Sequence, residues 1–361
     1  MPIPLHKITD RWKFHPLAIV SPTDFTLGES QPIEISDIAS DSRFSLYCLD
    51  FEEEQACWVR TPENIDITKG SFIYTTQFEL AQEMAISSFD ELADIVSGID
   101  LKESNITIIH SVGRCGSTLI NRVFASQPQI FSLSEPDTIT QICEALGAER
   151  ISTATAARLL PLVSKAVIRP VPGSTRRENV AIKLRSQCIS IAEQLCEALP
   201  QAHNIYLKRS PENWLRSAYR AFVPPDKVDD REFKQMCEDI FAAFIPIVRA
   251  ERIENEPMSL AKVWILNWIH NTLCYREASE RGLSFLTLDY SEIQSNPRAA
   301  IGSIFAHAKV DNIDWDAVDA TLVLDSQADS PVARASVKDN AITDHHFKEA
   351  MEVLAGYLPD E

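Results

Sequence analysis

Positive charge is in short supply in this sequence: 34 lysines and arginines face 52 aspartates and glutamates, a formal net charge of -18 at pH 7. No long basic run offsets the deficit, so an extended nucleic-acid surface is not expected. Long apolar runs are missing too. Nowhere do the roughly 18 consecutive apolar residues of a membrane span occur, and Met1-Pro2-Ile3-Pro4-Leu5-His6-Lys7 has no apolar core of signal-peptide length. Cys48, Cys57, Cys115, Cys143, Cys188, Cys196, Cys237 and Cys274 show no CxxC or CxxH spacing, which argues against a zinc or redox centre and for buried, reduced thiols. Internal repeats and low-complexity tracts are absent as well. These absences predict a cytoplasmic protein with no metal site, in which an anionic ligand must be held by a local pocket of Arg, Lys and backbone N–H groups.

What is present suits a large core, with 45% of residues hydrophobic and 24% charged. Phe44 to Thr61 reads as two strands around the acidic turn Glu52-Glu53-Glu54, a β-hairpin. Ser71 to Thr75 predicts another strand, and Gln77 to Ser97 a helix. Beyond Lys102 short apolar strands at Ile106–Ile109, Val180–Ile182, Asn204–Leu207 and Ser284–Leu288 alternate with helical stretches. That grammar predicts an α/β fold whose parallel sheet is flanked by helices. The expected organisation is a small α+β region over 1–102 followed by a domain over 103–361, with a long helical insertion at about 228–281. Within that insertion Asp230 to Ile253 and Met258 to Glu280 read as two long helices.

The strand at Ile106–Ile109 runs into His110-Ser111-Val112-Gly113-Arg114-Cys115-Gly116-Ser117-Thr118-Leu119. Two glycines free the loop to turn its N–H groups inward, and a helix starting near Ser117 adds its positive end, so the turn is suited to an anion. A Walker loop would carry Lys and then Ser or Thr after the last glycine. Here Gly116 is followed directly by Ser117-Thr118, with the cation at Arg114.

Arg114-Cys115-Gly116-Ser117-Thr118 resembles the 5′-phosphosulfate loop of the PAPS-dependent sulfotransferase superfamily, in which a cation precedes a small residue, glycine and two hydroxyl residues. Cys115 departs from the usual serine. Downstream, Ile205-Tyr206-Leu207-Lys208-Arg209-Ser210-Pro211 and the later Ser217 resemble that superfamily's 3′-phosphate motif, with Arg209 and Ser217 eight residues apart. A strand end and the following helix converge on one side, so a guanidinium and a hydroxyl reach one phosphate there. Read alone, Arg209-Ser210-Pro211 is equally an exposed helix entry. Leu288-Asp289-Tyr290-Ser291 resembles the late strand and turn of the superfamily, which implies that Tyr290 approaches the nucleotide; a core aromatic is the competing assignment.

Sulfuryl transfer needs a base and cations near the bridging oxygen, and no metal is demanded. The cytosolic branch uses a His where this chain has Arg185, and arginine is no base at neutral pH. The tyrosylprotein branch uses a Glu shortly after the first helix, and its spacing implies Glu135 in Leu133-Ser134-Glu135-Pro136 as the base. The alternative is a helix N-cap at Ser134 or Asp137. The same branch implies Lys183 as a second cation beside Arg114; otherwise Lys183 is a solvated strand end. The resemblance thus implies loop contacts from Gly113, Arg114, Cys115, Gly116, Ser117 and Thr118, with PAPS as donor and PAP as product.

Towards the end, Asp325 to Lys338 reads as a polar, mildly basic loop; lacking the cytosolic branch's RKGxxGxWK form, it offers Ser326, Arg334 and Lys338 as nucleotide contacts or is a plain surface loop. Phe241, Phe244, Trp264 and Trp268 form an apolar acceptor wall or, more simply, core. The implied acceptor bears a hydroxyl and is of unread class. The residues before 102 cap the sheet, shape acceptor access or make a homodimer contact. A P-loop small-molecule kinase and a non-catalytic PAPS- or nucleotide-binding protein are the competing functions.

Overall fold

The computed structural model describes residues 2–169, 178–328, 330–333 and 342–360. Among the described residues ten strands form two sheets of five. In the first, β1 (Pro2–Arg11), β2 (Phe25–Glu34), β3 (Phe44–Asp50), β4 (Gln55–Arg60) and β5 (Glu83–Ser88) pair antiparallel in the order β2-β1-β5-β4-β3. In the second, β6 (Asn105–Ser111), β7 (Ile130–Ser134), β8 (Asn179–Lys183), β9 (His203–Lys208) and β10 (Phe285–Asp289) are all parallel, in the order β10-β9-β6-β8-β7. The predicted α/β class and the parallel sheet covered by helices are what the chain adopts.

The alternation of β6 explains both faces of the parallel sheet. Ile106 and Ile108 point one way and join Phe131, Leu133, Val180 and Ile182, while Ile109 points the other way and packs with Ile205, Leu207, Trp214 and the helix Leu260–Glu280. The first of these clusters also contains Ile3, Leu5, Phe44, Leu46 and Trp58 of the antiparallel sheet. The two sheets therefore share one apolar layer. Gln141, on the helix Asp137–Gly147, accepts from the Leu49 N–H at 2.8 Å and donates to its carbonyl at 3.1 Å. Those are open-edge groups of β3, which would otherwise be buried unpaired.

Several local expectations are corrected. Ser71–Thr75 is no strand; the β-prone residues there start the helix Ile73–Leu80 because Gln77 hydrogen-bonds Ser45 and the Leu46 carbonyl, fixing the helix on β3. The helix expected over Gln77–Ser97 is broken by β5, a central strand without the usual β-branched run, and resumes at Phe89–Ile95 behind the Ser88/Glu91 capping box. Pro246 divides the first long helix into Arg231–Phe244 and Pro246–Ala250. Strands β1, β2 and β7 had no counterpart in the sequence reading. No helix among the described residues is long and apolar enough to cross a membrane.

Candidate active site

All strands of the second sheet run the same way, so their carboxyl ends lie on one edge, where parallel sheets collect ligands. From the end of the central strand β6 the chain turns through Gly113, Arg114 and Gly116 with φ of 77°, 49° and 83°. At Gly116 a Cβ would stand 3.0 Å from Tyr290 Cε2, so only glycine lets that ring lie against the loop. The helix Ser117–Ala125 follows with no side-chain cap. Its first-turn N–H groups are left for a ligand.

Arg114, Gly116, Ser117 and Thr118 line one side of a cavity of about 290 Å³. Arg209, Ser217, Arg220, Tyr290, Asp325 and Ser326 are among the residues that line the rest, so the loop and the downstream motif meet at one place. Arg114 Nε donates to Ser217 Oγ at 3.4 Å and Nη1 to Gln327 Oε1 at 3.1 Å. Arg209 Nη1 donates to the Arg114 carbonyl at 2.6 Å, its guanidinium lies 4.8 Å over the Tyr290 ring, and its buried Nε has no partner. Burial and then Arg209 push Arg114 below its usual range, and burial does the same to Arg209. Neither has a carboxylate partner among the described residues. An anion in the cavity would relieve both.

Two expected contacts fall elsewhere. Cys115 is fully buried, its Sγ donating to the Leu207 carbonyl at 3.4 Å, and Gly113 donates its N–H to Ser111 Oγ at 3.2 Å. Neither lines the cavity; they shape the loop from behind. Arg334 and Lys338 lie outside the described residues. Ser326 meets its neighbours through its carbonyl, which accepts from Ser71 Oγ at 3.3 Å and Arg122 Nε at 3.4 Å.

Glu135 and Lys183 sit beside each other at the ends of β7 and β8, outside the lining of that cavity. Lys183 Nζ donates to Glu135 Oε1, and both side chains are largely buried. Arg185 Nε lies 3.6 Å from Glu135 Oε2 and grips Asp137 at 2.7 and 2.8 Å. Asp137 and Ser134 are thus not caps: the helix starts after Pro136 without a side-chain cap. Among the described non-glycine residues with positive φ, Arg114 lies in the turn between β6 and the next helix, and Glu135 directly follows the end of β7. Such strain at the ligand edge of a sheet marks a site held in place by its surroundings.

The N-terminal region supplies the wall behind this pair, from the helix Ile73–Leu80 with its N-cap Phe72 and from the segment between β1 and β2. Phe72 and Tyr74 stack at 5.6 Å, with Lys183 Nζ 5.3 Å over Phe72 and the Arg185 guanidinium 4.4 Å over Tyr74. Arg185 Nη1 donates to the Leu17 carbonyl at 2.9 Å, and the Val20 N–H donates to Asp137 Oδ2 at 3.3 Å. Burial opposes the Arg185 charge, but Asp137, Tyr74 and Glu135 outweigh it and hold the guanidinium well above its usual range. None of these N-terminal contacts was readable from the sequence. Arg220 and Gln327 were missed as well, although Arg220 stands one helical turn after Ser217. Phe241, Phe244, Trp264 and Trp268 belong to the core, Trp264 stacking on Phe222 at 5.0 Å.

No family model and no curated protein sequence matches this chain. Solved structures do. A sulfotransferase domain from the curacin biosynthetic pathway is 12% identical over 70% of this chain and 98% of its own, with a TM-score of 0.38. A mouse sulfotransferase complexed with PAP is 15% identical over 76% of this chain and 93% of its own, at 0.40. A retinol dehydratase in complex with androsterone and inactive cofactor PAP is 12% identical over 88% and 96%, at 0.36. Scores of this size leave function to be read from the side chains.

Proposed function

We propose that this protein is a PAPS-dependent sulfotransferase that moves a sulfuryl group to an acceptor hydroxyl. The observation that carries the proposal is the buried, unpartnered Nε of Arg209, which shares one cavity with Ser217 and with the phosphate loop. Two anion-binding elements facing one space suit a nucleotide with phosphates at both ends of its sugar, and a 3′-phosphate site is of no use to an ATP kinase.

In this reading Ser117, Thr118 and the first-turn N–H groups hold the 5′-phosphate, and Arg209 with Ser217 holds the 3′-phosphate. Bound PAPS supplies a sulfuryl group on a phosphate leaving group. Arg114 and Lys183 bring positive charge to the oxygens among which that group moves. Glu135 Oε takes the proton of the acceptor hydroxyl, held by Lys183 on one oxygen and Arg185 near the other. The aromatic wall of Phe72 and Tyr74 lends the acceptor side an apolar surface.

Calorimetric titration of the full chain with PAP, and separately with ATP and magnesium, tests the cofactor. Binding of PAP alone is expected, and binding of ATP with magnesium but not of PAP overturns the proposal. Screening transfer of labelled sulfate from PAPS to a hydroxyl library then separates an enzyme from a nucleotide-binding protein without turnover.

A further inference from the structure

Arg122 stands on the helix Ser117–Ala125, whose first turn faces the cavity, yet it is not among the residues that line the cavity. Its guanidinium instead joins two stretches of chain that are far apart in sequence. Nη1 donates to the Lys69 carbonyl at 2.7 Å, Nη2 to Ser71 Oγ at 3.1 Å and Nε to the Ser326 carbonyl at 3.4 Å. Ser71 Oγ in turn donates to that same Ser326 carbonyl at 3.3 Å. A planar fork with donors along two edges spans such acceptors at once, which a compact ammonium does not.

Each stretch leads to one half of the proposed reaction. Asp325, Ser326 and Gln327 line the cavity. Gln327 Oε1 accepts from Arg114 Nη1 at 3.1 Å, and the Gln327 N–H donates to Asp325 Oδ1 at 3.1 Å, which holds the three residues in one turn. On the other side, Ser71 directly precedes Phe72, whose ring stacks on Tyr74 and lies 5.3 Å from Lys183 Nζ. Lys183 in turn holds Glu135. One side chain therefore grips both the rim of the cavity and the residues that set the wall behind the base. A staple of purely structural value would steady the wall equally whether the cavity is filled or empty. Because this one runs through the cavity rim, filling the cavity should steady the wall further.

We propose that Arg122 is a positioning residue that couples the two halves of the site. A nucleotide that orders residues 325–327 orders residues 69–72 through Arg122 and Ser71, and with them the aromatic face against which Lys183 and Glu135 are set. This rests on the sulfotransferase reading above, and the test separates the two. Full-length wild type, R122M, R122K and S71A are titrated with PAP by calorimetry, and their backbone amide exchange is followed with and without PAP.

The wild type is expected to bind PAP and, on binding, to slow exchange across 69–74 as well as 325–327. R122M should still bind PAP and protect 325–327, while the protection of 69–74 is lost. R122K, which keeps the charge without the fork, and S71A, which removes one link between the stretches, should each keep part of it. With an acceptor found by screening, R122M should lower kcat/KM by about tenfold to a hundredfold, the usual result of a misplaced reacting group, through kcat and the acceptor KM rather than through PAP affinity. Undiminished protection of 69–74 by PAP in the folded variants, or a wild type that binds PAP without slowing exchange there, overturns the role of Arg122. A wild type that does not bind PAP overturns the sulfotransferase reading, and this inference with it. Melting temperatures verify the fold, and S71A carries the test by itself should R122M fail to fold.

Discussion

Lys183 and Glu135 hold each other twice: Lys183 Nζ donates to Glu135 Oε1, and the Glu135 main-chain N–H donates to the Lys183 carbonyl at 2.7 Å. The second bond continues the β7–β8 ladder past Ser134 and forces Glu135 to bend away with a φ of 55°. Backbone geometry, side-chain pairing and the Arg185 clamp thus fix one carboxylate at the ligand edge of the sheet.

If Glu135 takes the acceptor proton, E135Q should cut turnover by about 10²–10⁴-fold, the usual worth of a positioned base, and leave PAP affinity unaltered. K183M should lower turnover as well, since it removes a cation from the transferring oxygens. Steady-state rates with an acceptor found by screening, together with calorimetry, check both. Near-normal turnover in E135Q with intact PAP binding removes Glu135 from the role.

At Gly116 an alanine meets two obstacles. Its φ of 83° is left-handed, and its Cβ would stand 3.0 and 3.1 Å from two carbons of Tyr290. G116A should therefore cost about 1–3 kcal/mol of strain, or push Tyr290 off the loop and weaken PAP binding. Thermal denaturation and titration with PAP distinguish the two routes.

The parallel strands β6, β8 and β9 were legible because each is a short apolar run buried on both faces, β10 because its edge position still carries the apolar run Phe285-Leu286-Thr287-Leu288, and the phosphate loop because glycine spacing there reflects backbone need. Arg209 and Ser217 were legible by spacing across a strand-to-helix turn. The N-terminal region was not. β5 lacks strand-forming composition and is placed by its neighbours β1 and β4, and β1 and β2 carry Pro2, Pro4 and Pro32, which read as breakers. That Leu17, Val20 and Tyr74 meet Arg185 and Asp137, and Phe72 meets Lys183, depends on two sheets sharing a core, a relationship no local pattern encodes.

Asp137 and Arg185 should be structural as much as functional. Both are buried, and the pair also anchors the segment carrying Leu17 and Val20. D137A leaves the buried guanidinium with Glu135 as its one remaining ion-pair partner among the described residues, so it should lower stability by about 3–5 kcal/mol, whereas D137A/R185M should recover part of the loss. Urea denaturation measures the cost. Faster amide exchange at Val20 in D137A would report release of the N-terminal segment.

Glu144, which accepts from Gln187 Nε2 at 3.0 Å, gives the fold a pH dependence. Burial, together with the charge of Asp137, raises its carboxyl from an ordinary value of 4.5 to about 7, against the opposing pull of Arg185 and the Gln187 bond. Between those two values the folded chain binds a proton that the unfolded chain has lost, so stability is full below about 4.5 and declines as pH rises to about 7. Above that range the loss is complete and the curve flattens. E144Q keeps an acceptor for Gln187 and cannot ionise, so its stability should vary less across the interval and exceed that of the wild type at pH 8. Denaturant midpoints for both proteins measured between pH 4 and 8 decide the matter: parallel curves would mean that Glu144 titrates alike in the folded and unfolded chain.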